Sequence, residues 1–256
     1  MNEEYLYFAL SSIKELNMKK IYDIYLTSKT KNISASDIIY LSEEELSAEL
    51  DLDIQTSSNV VESFHSSHIK KLYENLKVNR IKILFPFYDN YPAKIKKSFT
   101  IPAALYIAGN ENILNSPCIG ISGSRDAGLE GINESYELSK KAVKKGIVVV
   151  SGSARGIDEA AHKSAIMNNG STVFVIPFGI NYFYKKNKHI EFENSCVVSM
   201  FFPTKNFSNS TAVQRNKLIA ALSDIVFIIE AKNPSGSLMQ GRLSIKIKKP
   251  TFVYEK

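Results

Sequence analysis

After residue 110, a strand pattern, a small polar loop and a helix pattern follow one another repeatedly, and this repetition limits the fold more than any other feature. Apolar strand patterns lie at 118–122, 147–151, 171–176, 195–200, 225–230 and 251–254. Amphipathic helix patterns lie between them at 129–145, 157–168, 212–222 and 237–247. Strand–helix alternation at this spacing predicts an α/β fold with a doubly wound, mostly parallel sheet and right-handed crossovers.

Three of the predicted strands are followed by a Ser-Gly-Ser sequence that opens a helix pattern. These sequences are Ser122-Gly123-Ser124 with Arg125 after it, Ser151-Gly152-Ser153, and Ser235-Gly236-Ser237. The carboxyl ends of parallel strands and the neighbouring helix N-termini form the ligand crevice of such a sheet. Free backbone N–H groups and the helix dipole attract anions there, and glycine lets the backbone approach a phosphate closely. The sequence therefore predicts a phosphate-binding crevice.

The first 79 residues have a different composition and read as a separate helical domain. All 12 glycines lie at or after Gly109, and the first proline is Pro86. Apolar residues recur with helical spacing, Ser42 and Glu45 have the spacing of a capping box, and Ser36 and Ser57 are further candidate N-caps. We expect a bundle of about four short helices over residues 1–79, a SAM-like or support domain, followed by a Rossmann-like domain over residues 80–256.

Charge is distributed unevenly between the two predicted domains. Residues 1–80 contain 9 basic and 13 acidic side chains, and the remainder contains 23 and 13, for a total of +6. A basic α/β portion suits a polyanionic partner. Only five of the 32 basic residues are arginine, and four of those five lie at predicted loop–helix junctions, where bidentate geometry matters.

Several classes of cofactor, catalytic and metal site are excluded because their motifs are absent from the sequence. The dinucleotide fingerprint, the Walker phosphate loop and the nucleophile elbow do not occur, and no Cys/His cluster has metal spacing, so we expect no cofactor and no metal. Asp158 and His162 share a helix face and could form a base and its orienting group. We favour a structural role instead, with Asp158 capping the helix and His162 hydrogen-bonding beneath the loop.

Two cysteines, Cys118 and Cys196, lie in strand patterns and are expected to be buried thiols in a reducing compartment. The acidic N-terminus does not resemble a secretory signal, and no apolar run reaches the ~18 residues that a membrane span needs. These features favour a cytoplasmic protein.

The candidate ligand-binding residues differ in how strongly the sequence supports them. Arg125 stands directly on a strand-end glycine turn, which favours ligand contact over an ion pair between loops. For Arg155, a ligand and an internal partner remain equally open. Lys185 and Lys186 lie in a stretch, 182–188, that combines aromatic residues with lysines, as in binders of single-stranded nucleic acid, although a solvated loop has the same composition. Arg215, Asn216 and Lys217 place two cations near a helix start, where they oppose the dipole unless an anion binds.

Taken together, these motifs resemble the DNA-processing protein A family (DprA, also called Smf). The similarity covers roughly residues 80–254, with motifs in the family's order and spacing. They are Asp89 with Tyr91-Pro92, Pro102 with Leu105-Tyr106, Gly109-Asn110, Gly123-Ser124-Arg125, Ser151 to Asp158 with Ala161-His162, Arg215-Asn216 with residues 219–224, Glu230-Ala231 and Ser235-Gly236-Ser237-Leu238. Departures include Ala212-Val213 in place of a Phe-Pro pair and Met239-Gln240-Gly241 in place of Ile-Thr-Ala.

The resemblance implies an extended Rossmann fold that binds single-stranded DNA without strong sequence preference, protects incoming DNA in natural transformation and loads the recombinase RecA. It also implies a homodimer, no enzymatic activity and no membrane association. By resemblance, Arg125 is the main phosphate contact, and Arg215, Asn216 and Lys217 line the rim. The remaining expected contacts are Gly123, Ser124, Ser153, Arg155, Lys185, Lys186, Ser235 and Gly236.

One alternative is a nucleotide-binding enzyme or sensor on the same sheet. The related lysine-decarboxylase-like proteins cleave nucleoside monophosphates with a Pro-Gly-Gly-x-Gly-Thr loop and a following Glu. This chain instead has Asn233-Pro234-Ser235-Gly236-Ser237 with no Glu closely following, which argues against that chemistry. A nucleotide sensor of a defence system stays open as a further reading.

Overall fold

A computed structural model describes residues 3–98, 101–186, 193–231 and 234–254 of the protein. The chain divides into two compact units. The first contains Met1–Asn90 with Ile101–Leu105, and the second contains Tyr91–Thr100 with Tyr106–Lys256. Among the described residues, no helix is both long enough and apolar enough to cross a bilayer.

Six helices make up most of the described part of the first unit. They are α1 (Glu3–Ser11), α2 (Met18–Thr30), α3 (Ala35–Tyr40), α4 (Glu43–Leu50), α5 (Ile54–His65) and α6 (Ser67–Val78). The predicted capping box of Ser42 and Glu45 is present at the start of α4. Ser36 and Ser57 are not caps, because Ser34 caps α3 and Asp53 caps α5. The prediction of about four helices was too low because short helices begin and end here at small capping residues, without glycine or proline.

Aromatic packing extends the first unit past the boundary at residue 79/80 that the composition indicated. The Tyr7 ring lies 4.6 Å from that of Phe87 and 5.7 Å from that of Phe85, between centroids, and Phe87 also stacks on Tyr25 at 4.2 Å. Rings that pack in this way are stabilised beyond their buried area. The short strand β1 (Lys82–Leu84) therefore belongs to the same compact unit as the helices. The division of the chain into functional domains stays a prediction.

The second unit has the predicted α/β architecture. Its strands are β2 (Leu105–Gly109), β3 (Cys118–Gly123), β4 (Val148–Ser151), β5 (Thr172–Val175), β6 (Ser195–Ser199), β7 (Ile225–Ile229) and β8 (Thr251–Tyr254). They are adjacent in the order β2-β6-β5-β4-β3-β7-β8. Every pair in this row is parallel except β2 with β6. The helices of the unit are α7 (Ala93–Lys96), α8 (Leu129–Val143), α9 (Ile157–Met167), α10 (Ile180–Lys186), α11 (Asn209–Leu222) and α12 (Gly236–Lys246), with a 3₁₀ turn at Glu111–Asn115.

Alternation along β3 shows how two pairs of helices cover the sheet. Ile119 and Ile121 pack into a buried cluster with residues of α8 and α9. Gly120 and Ser122 point the other way, toward Ser223 after α11 and Gln240 on α12. Because successive side chains of a strand face opposite sides, α8 and α9 cover one face of the sheet, and α11 and α12 the other. This double winding confirms the predicted α/β fold.

The strand ends and the cysteines follow the sequence analysis closely. Cys118 in β3 and Cys196 in β6 are both buried, and neither forms a disulfide, as predicted. The Ser151 hydroxyl at the end of β4 donates to the Ile121 carbonyl of β3 at 2.6 Å, which fixes two strand ends beside each other. In contrast, α10 includes the start of the stretch 182–188, for which a solvated loop was one of two expectations, and it buries Ile180 and Phe183 one turn apart.

Candidate nucleic-acid interface

Two adjoining clefts lie at the loops that follow the strands: one between the loops after β3, β4 and β7, the other between the loops after β3, β4, β5 and β6. The first, the polar cleft, has a volume of about 440 Å³ and is lined mainly by serine, glycine and arginine. The second, the aromatic cleft, has a volume of about 670 Å³. Arg125, Ala154 and Arg215 line both clefts, so the two are continuous. The predicted crevice at the carboxyl ends of the strands is therefore present, and it has two parts.

The β3 loop presents Arg125 to both clefts. A Cβ atom at Gly123 would lie 2.1 Å from the Ile229 carbonyl oxygen, so only glycine allows this approach to β7. The Asp126 amide then donates to the Ser124 hydroxyl at 3.1 Å and tightens the turn. The Arg125 side chain is exposed, and no described carboxylate lies within ion-pair distance of it. Its guanidinium can therefore offer several N–H donors to an anion.

The N-terminus of α12 forms the opposite wall of the polar cleft. Ser235 is the N-cap and accepts a hydrogen bond from the Leu238 amide at 3.2 Å. The Ser237 hydroxyl donates to the Gly123 carbonyl at 2.7 Å, which ties this wall to the β3 loop. Gly236, the first residue of the helix, lines the cleft beside Ser235. The helix is 11 residues long, and its dipole adds partial positive charge at this end.

Gln240 lines the polar cleft with a buried amide. Its side chain is 1% exposed, and its Oε1 accepts a hydrogen bond from the Ser122 hydroxyl at 2.9 Å. Its Nε2 has no hydrogen-bond partner within the part of the chain that the structure describes. A buried donor without an acceptor costs about 1–3 kcal/mol. A ligand oxygen in the cleft would remove that cost.

The side chains of Arg215 and Asp158 both lie against Gly152 in the loop after β4. Arg215 is 6% exposed, and its Nη1 donates to the Val175 carbonyl at 2.7 Å. A Cβ at Gly152 would lie 2.2 Å from both Arg215 Nη1 and Asp158 Oδ2. Burial raises the pKa of the Asp158 carboxyl, and the Arg215 guanidinium opposes that rise. Arg215 is thus held inside the cleft wall rather than at an exposed rim, because the Val175 carbonyl and the Asn216 side-chain oxygen, which accepts from its Nε at 3.2 Å, satisfy two of its donors.

Asp158 and His162 brace the β4 loop from below. The N-cap of α9 is Gly156, and Asp158 instead accepts from the Ala154 amide at 3.4 Å, so it does not cap the helix in the way the sequence suggested. His162 Nε2 donates to the Gly152 carbonyl at 2.5 Å, and Nδ1 lies 2.7 Å from the Thr172 hydroxyl. Burial lowers the pKa of His162 to about 4. The imidazole is therefore neutral at pH 7, with both ring nitrogens occupied.

The aromatic cleft contains the other residues predicted from the β4 loop. Ser153 and Arg155 are exposed and line it. Arg155 Nη2 donates to Asp126 Oδ1 at 2.6 Å, but both side chains are more than 70% exposed. Exposed ion pairs contribute little, so this one leaves Arg155 able to exchange Asp126 for another anion.

Of the remaining predicted residues, Asn216 lines the polar cleft, and its Nδ2 donates to the Gly236 carbonyl at 3.1 Å. Lys217 is exposed and lines neither cleft, because it follows Arg215 and Asn216 around the turn of α11 and points away. Lys185 and Lys186 form the end of α10, and their side chains lie outside the described part of the structure.

The lining residues that the sequence analysis did not predict include Gln240, Phe178, Tyr182 and Phe207. Gln240 lies two residues after the Ser-Gly-Ser-Leu motif, and the sequence analysis includes it only among the departures from the family pattern. Phe178 and Tyr182 lie four residues apart, and Phe207 comes from a distant loop, so no local pattern brings the three rings together. Tyr182 alone carried a signal, since it starts the stretch that combines aromatic residues with lysines.

Comparison with known proteins gives consistent matches. The family model described as DNA recombination-mediator protein A matches residues 82–256. DNA processing protein DprA of Streptococcus pneumoniae is 35% identical over 155 residues, which is 59% of this chain and 55% of that protein. Protein Smf of Borreliella burgdorferi is 30% identical over 172 residues, or 65% and 54% of the two chains. The chain thus spans about half the length of these curated relatives.

Two solved structures match as well. The structure of DNA processing protein A from Streptococcus pneumoniae superposes over 100% of this chain and 88% of that chain, with a TM-score of 0.79 and 23% identity, and so supports the fold. A structure on the single-stranded DNA binding mode of DNA processing protein A from Helicobacter pylori covers 69% of this chain and 81% of that chain, with a TM-score of 0.61 and 28% identity.

Proposed function

The chain belongs to the DNA recombination-mediator protein A family, and we propose on this basis that it binds single-stranded DNA through the polar cleft in transformation or recombination. Membership agrees with the resemblance of the sequence motifs to the DprA/Smf proteins. The relative from Helicobacter pylori, which has been studied with single-stranded DNA, supports the choice of ligand.

The observation that carries this proposal is a set of donors that converge on one cleft, whose lining residues include a single carboxylate, the buried Asp158. The exposed Arg125 guanidinium lies on one wall, and the N-terminus of α12 lies on the other. The buried Gln240 Nε2 adds a donor with no acceptor among the described residues. Phosphate oxygens supply acceptors and negative charge together, so they match all three features.

Backbone recognition also accounts for a lack of sequence preference. Guanidinium, amide and helix N-terminal donors contact phosphate oxygens, which are the same for every nucleotide. The polar walls of Ser124, Ser235 and Ser237 can extend these hydrogen bonds along a strand. Charge neutralisation by a protein releases counterions from the nucleic acid, so the affinity is expected to fall steeply with salt.

We propose further that the protein acts by binding rather than by catalysis. The side chain most suited to act as a general base is His162, and its two ring nitrogens hydrogen-bond to the Gly152 carbonyl and the Thr172 hydroxyl in the protein interior. Asp158 is equally buried and faces Arg215. A general base must reach the proton that it removes from a substrate. Both ring nitrogens of His162 are occupied, and the Asp158 carboxylate, although it lines the polar cleft, is 6% exposed and accepts from the Ala154 amide.

A titration at several salt concentrations tests the proposal. Fluorescent oligo-dT, duplex DNA of the same length and a panel of mononucleotides are added to the purified chain. We expect tight binding of oligo-dT, with a log–log salt slope of about −0.7 for each phosphate contact. Saturable binding of one mononucleotide, with oligo-dT binding absent or independent of salt, would instead support the nucleotide-sensing alternative.

The same resemblance supports three wider assignments, namely loading of RecA, a homodimer and a cytoplasmic location. The last strand in the sheet order, β8, exposes about half of the Phe252 and Val253 side chains, which gives a dimer an apolar surface. Sedimentation velocity tests the dimer, and RecA-filament assembly on single-stranded DNA coated with a binding protein tests the loading. A monomer at micromolar concentration or unchanged filament assembly would contradict these assignments.

A further inference from the structure

The opposite edge of the sheet, where the parallel strands begin, carries lysines that the proposed function does not use. Lys144 and Lys145 lie between α8 and β4, and Lys248 and Lys249 lie between α12 and β8. The first three of these side chains are exposed, and that of Lys249 is partly exposed. The arginines of the two clefts lie at the other edge, so the basic residues of this unit divide by type between its two edges.

Backbone hydrogen bonds align the starts of four strands in one row. The Val148 amide of β4 donates to the Pro117 carbonyl before β3 at 2.9 Å, and the Val226 amide of β7 donates to the Pro250 carbonyl before β8 at 2.9 Å. The sheet order here is β4-β3-β7-β8. Neighbouring strands lie about 4.8 Å apart, so the lysines before β4 and those before β8 are about 15 Å apart on a common edge.

A groove of about 380 Å³ lies at the β8 end of this row. Its lining includes Lys94, Lys97 and Lys249, together with a single carboxylate, Asp224. Lys94 Nζ donates to Asp224 Oδ2 at 2.6 Å, so the charge of that carboxylate is already compensated within the groove. Lys97 and Lys249 therefore give the groove a net positive charge.

Stabilisation of helix ends does not account for these lysines. A cation in the last turn of a helix stabilises its C-terminus, and this effect falls off beyond that turn. Lys140 and Lys141 occupy the last turn of α8, and Lys246 occupies that of α12. Lys145 and Lys248 follow these helices as additional charges. A polyanionic partner explains a row of like charges that the helices do not require.

Residue types select nucleic acid over an acidic protein. The described residues that line the groove include three lysines but neither an arginine nor an aromatic side chain. Protein–protein interfaces are enriched in arginine and aromatic residues and depleted in lysine. Lysine is a flexible point charge without fixed hydrogen-bonding geometry, which suits contact with phosphates at variable positions along a backbone.

The distance between the two edges selects a single strand over a duplex. β3 has six residues and connects the lysine edge to the Arg125 loop, over a length of about 17 Å. A flexible single strand can follow both edges of the sheet. Duplex DNA has a persistence length of about 150 base pairs and cannot bend around so short a distance.

We propose that the lysine surface, which consists of Lys97, Lys144, Lys145, Lys248 and Lys249, binds a second segment of the DNA strand whose phosphates lie in the polar cleft. This inference rests on the proposed function and goes beyond it, since it adds a contact at the other edge of the sheet. Once one segment is bound, the second binds at the high effective concentration that the connecting nucleotides impose. The lysine surface therefore strengthens the binding of long strands and leaves that of short strands unchanged.

Oligomers of two lengths separate the lysine surface from the polar cleft. The wild-type chain, Lys145→Ala/Lys249→Ala and the control Lys163→Ala/Arg242→Ala are titrated with oligo-dT of about 10 and about 40 nucleotides, the shorter being near the site size of single-strand binders. The control removes the same charge from two exposed positions that line neither cleft nor the groove. Duplex DNA of about 40 base pairs and urea unfolding complete the comparison.

A phosphate contact with a salt slope of 0.7 contributes about fivefold to affinity at about 0.1 M salt. Lys145→Ala/Lys249→Ala should therefore bind the long oligomer about 5- to 25-fold more weakly, with the salt slope reduced by about 1.4. Its affinity for the short oligomer and for the duplex should change by less than about twofold. The control variant should bind every ligand within about twofold of the wild type, and both variants should keep the wild-type stability.

Four outcomes would overturn the inference. They are unchanged binding of the long oligomer, equal losses on the long and short oligomers, an equal loss on the duplex, and an equal effect of the control variant. Equal losses together with lower stability would assign the lysines to the fold alone. Failure of the wild-type chain to bind either oligomer at any salt concentration would instead refute the proposed function, whereas intact binding of the short oligomer shows that only the inference has failed.

Discussion

The buried imidazole of His162 predicts a specific dependence of stability on pH. His162 is 4% exposed, and burial lowers its pKa from 6.5 to about 4, assisted by the positive charge of Arg215 and opposed by its hydrogen bond to Gly152. Below pH 6.5 the unfolded chain binds a proton that the folded chain does not, so the free energy of unfolding falls as the pH falls from 6.5 toward 4.

The magnitude follows from the two pKa values. One pKa unit corresponds to about 1.4 kcal/mol, so this histidine should remove about 2 kcal/mol of stability between pH 7 and pH 5. The variant His162→Gln keeps an amide that can hydrogen-bond to Gly152 but does not titrate. It should be less stable at pH 7, and its stability should decline less between pH 7 and pH 5.

Urea unfolding followed by circular dichroism at 222 nm, at pH 7, 6 and 5, measures the free energy of unfolding of the wild type and the variant as a function of pH. The difference in the free energy of unfolding between wild type and variant should shrink by about 2 kcal/mol as the pH falls from 7 to 5. Asp158 titrates in both proteins, so its contribution largely cancels in the comparison. Parallel curves for the two proteins would show that His162 is not buried as a neutral ring, and the account of the brace beneath the β4 loop would be wrong.

Three further predictions concern the neighbouring groups. Gly152→Ala should lower the free energy of unfolding by about 3–5 kcal/mol, because its Cβ would displace the buried Arg215 and Asp158. In the control Gly236→Ala the Cβ would lie 3.8 Å from Asn216, so the same urea assay should show a loss of less than about 1 kcal/mol. Lys94→Met should lower the free energy of unfolding by about 1–3 kcal/mol, since Lys94 Nζ donates to Asp224 Oδ2 at 2.6 Å and to the Ser116 carbonyl at 2.7 Å. In a double-mutant cycle, the same substitution should destabilise an Asp224→Asn variant much less. Asp126→Ala should leave stability unchanged and raise the affinity for single-stranded DNA by about twofold, because it removes the anion that competes for Arg155; lower affinity in a fluorescence titration would contradict this.

The sequence was sufficient for the sheet because its strands are short apolar runs between glycine-rich loops. Ile119, Val149 and Ile228 lie in runs that are buried in β3, β4 and β7, and parallel strands that are covered on both faces require such runs. The N-terminal helices were harder to delimit. Their ends depend on which of several serines accepts an amide hydrogen bond, and Ser34 rather than Ser36 does so.

Part of the candidate site could likewise be predicted from the sequence, and part could not. Arg125 and the glycine turn beside it could be recognised locally, because a guanidinium on a strand-end loop has few internal partners. The burial of Arg215 could not be recognised locally, since it depends on Asp158 of α9, Gly152 after β4 and Val175 of β5 meeting in the tertiary structure. The aromatic cleft likewise joins segments around residues 153, 178 and 207, so only the tertiary structure brings its rings together.

The central claim is that Arg125 in the polar cleft holds the phosphate backbone of single-stranded DNA. The most direct test compares Arg125→Ala with Arg242→Ala, which removes the same charge from an exposed position that lines neither cleft. Oligo-dT affinity should fall by roughly 10- to 100-fold in Arg125→Ala, with the salt slope reduced by about 0.7, and by less than about twofold in Arg242→Ala. Equal losses in the two folded variants, or unchanged binding by Arg125→Ala, would contradict the account.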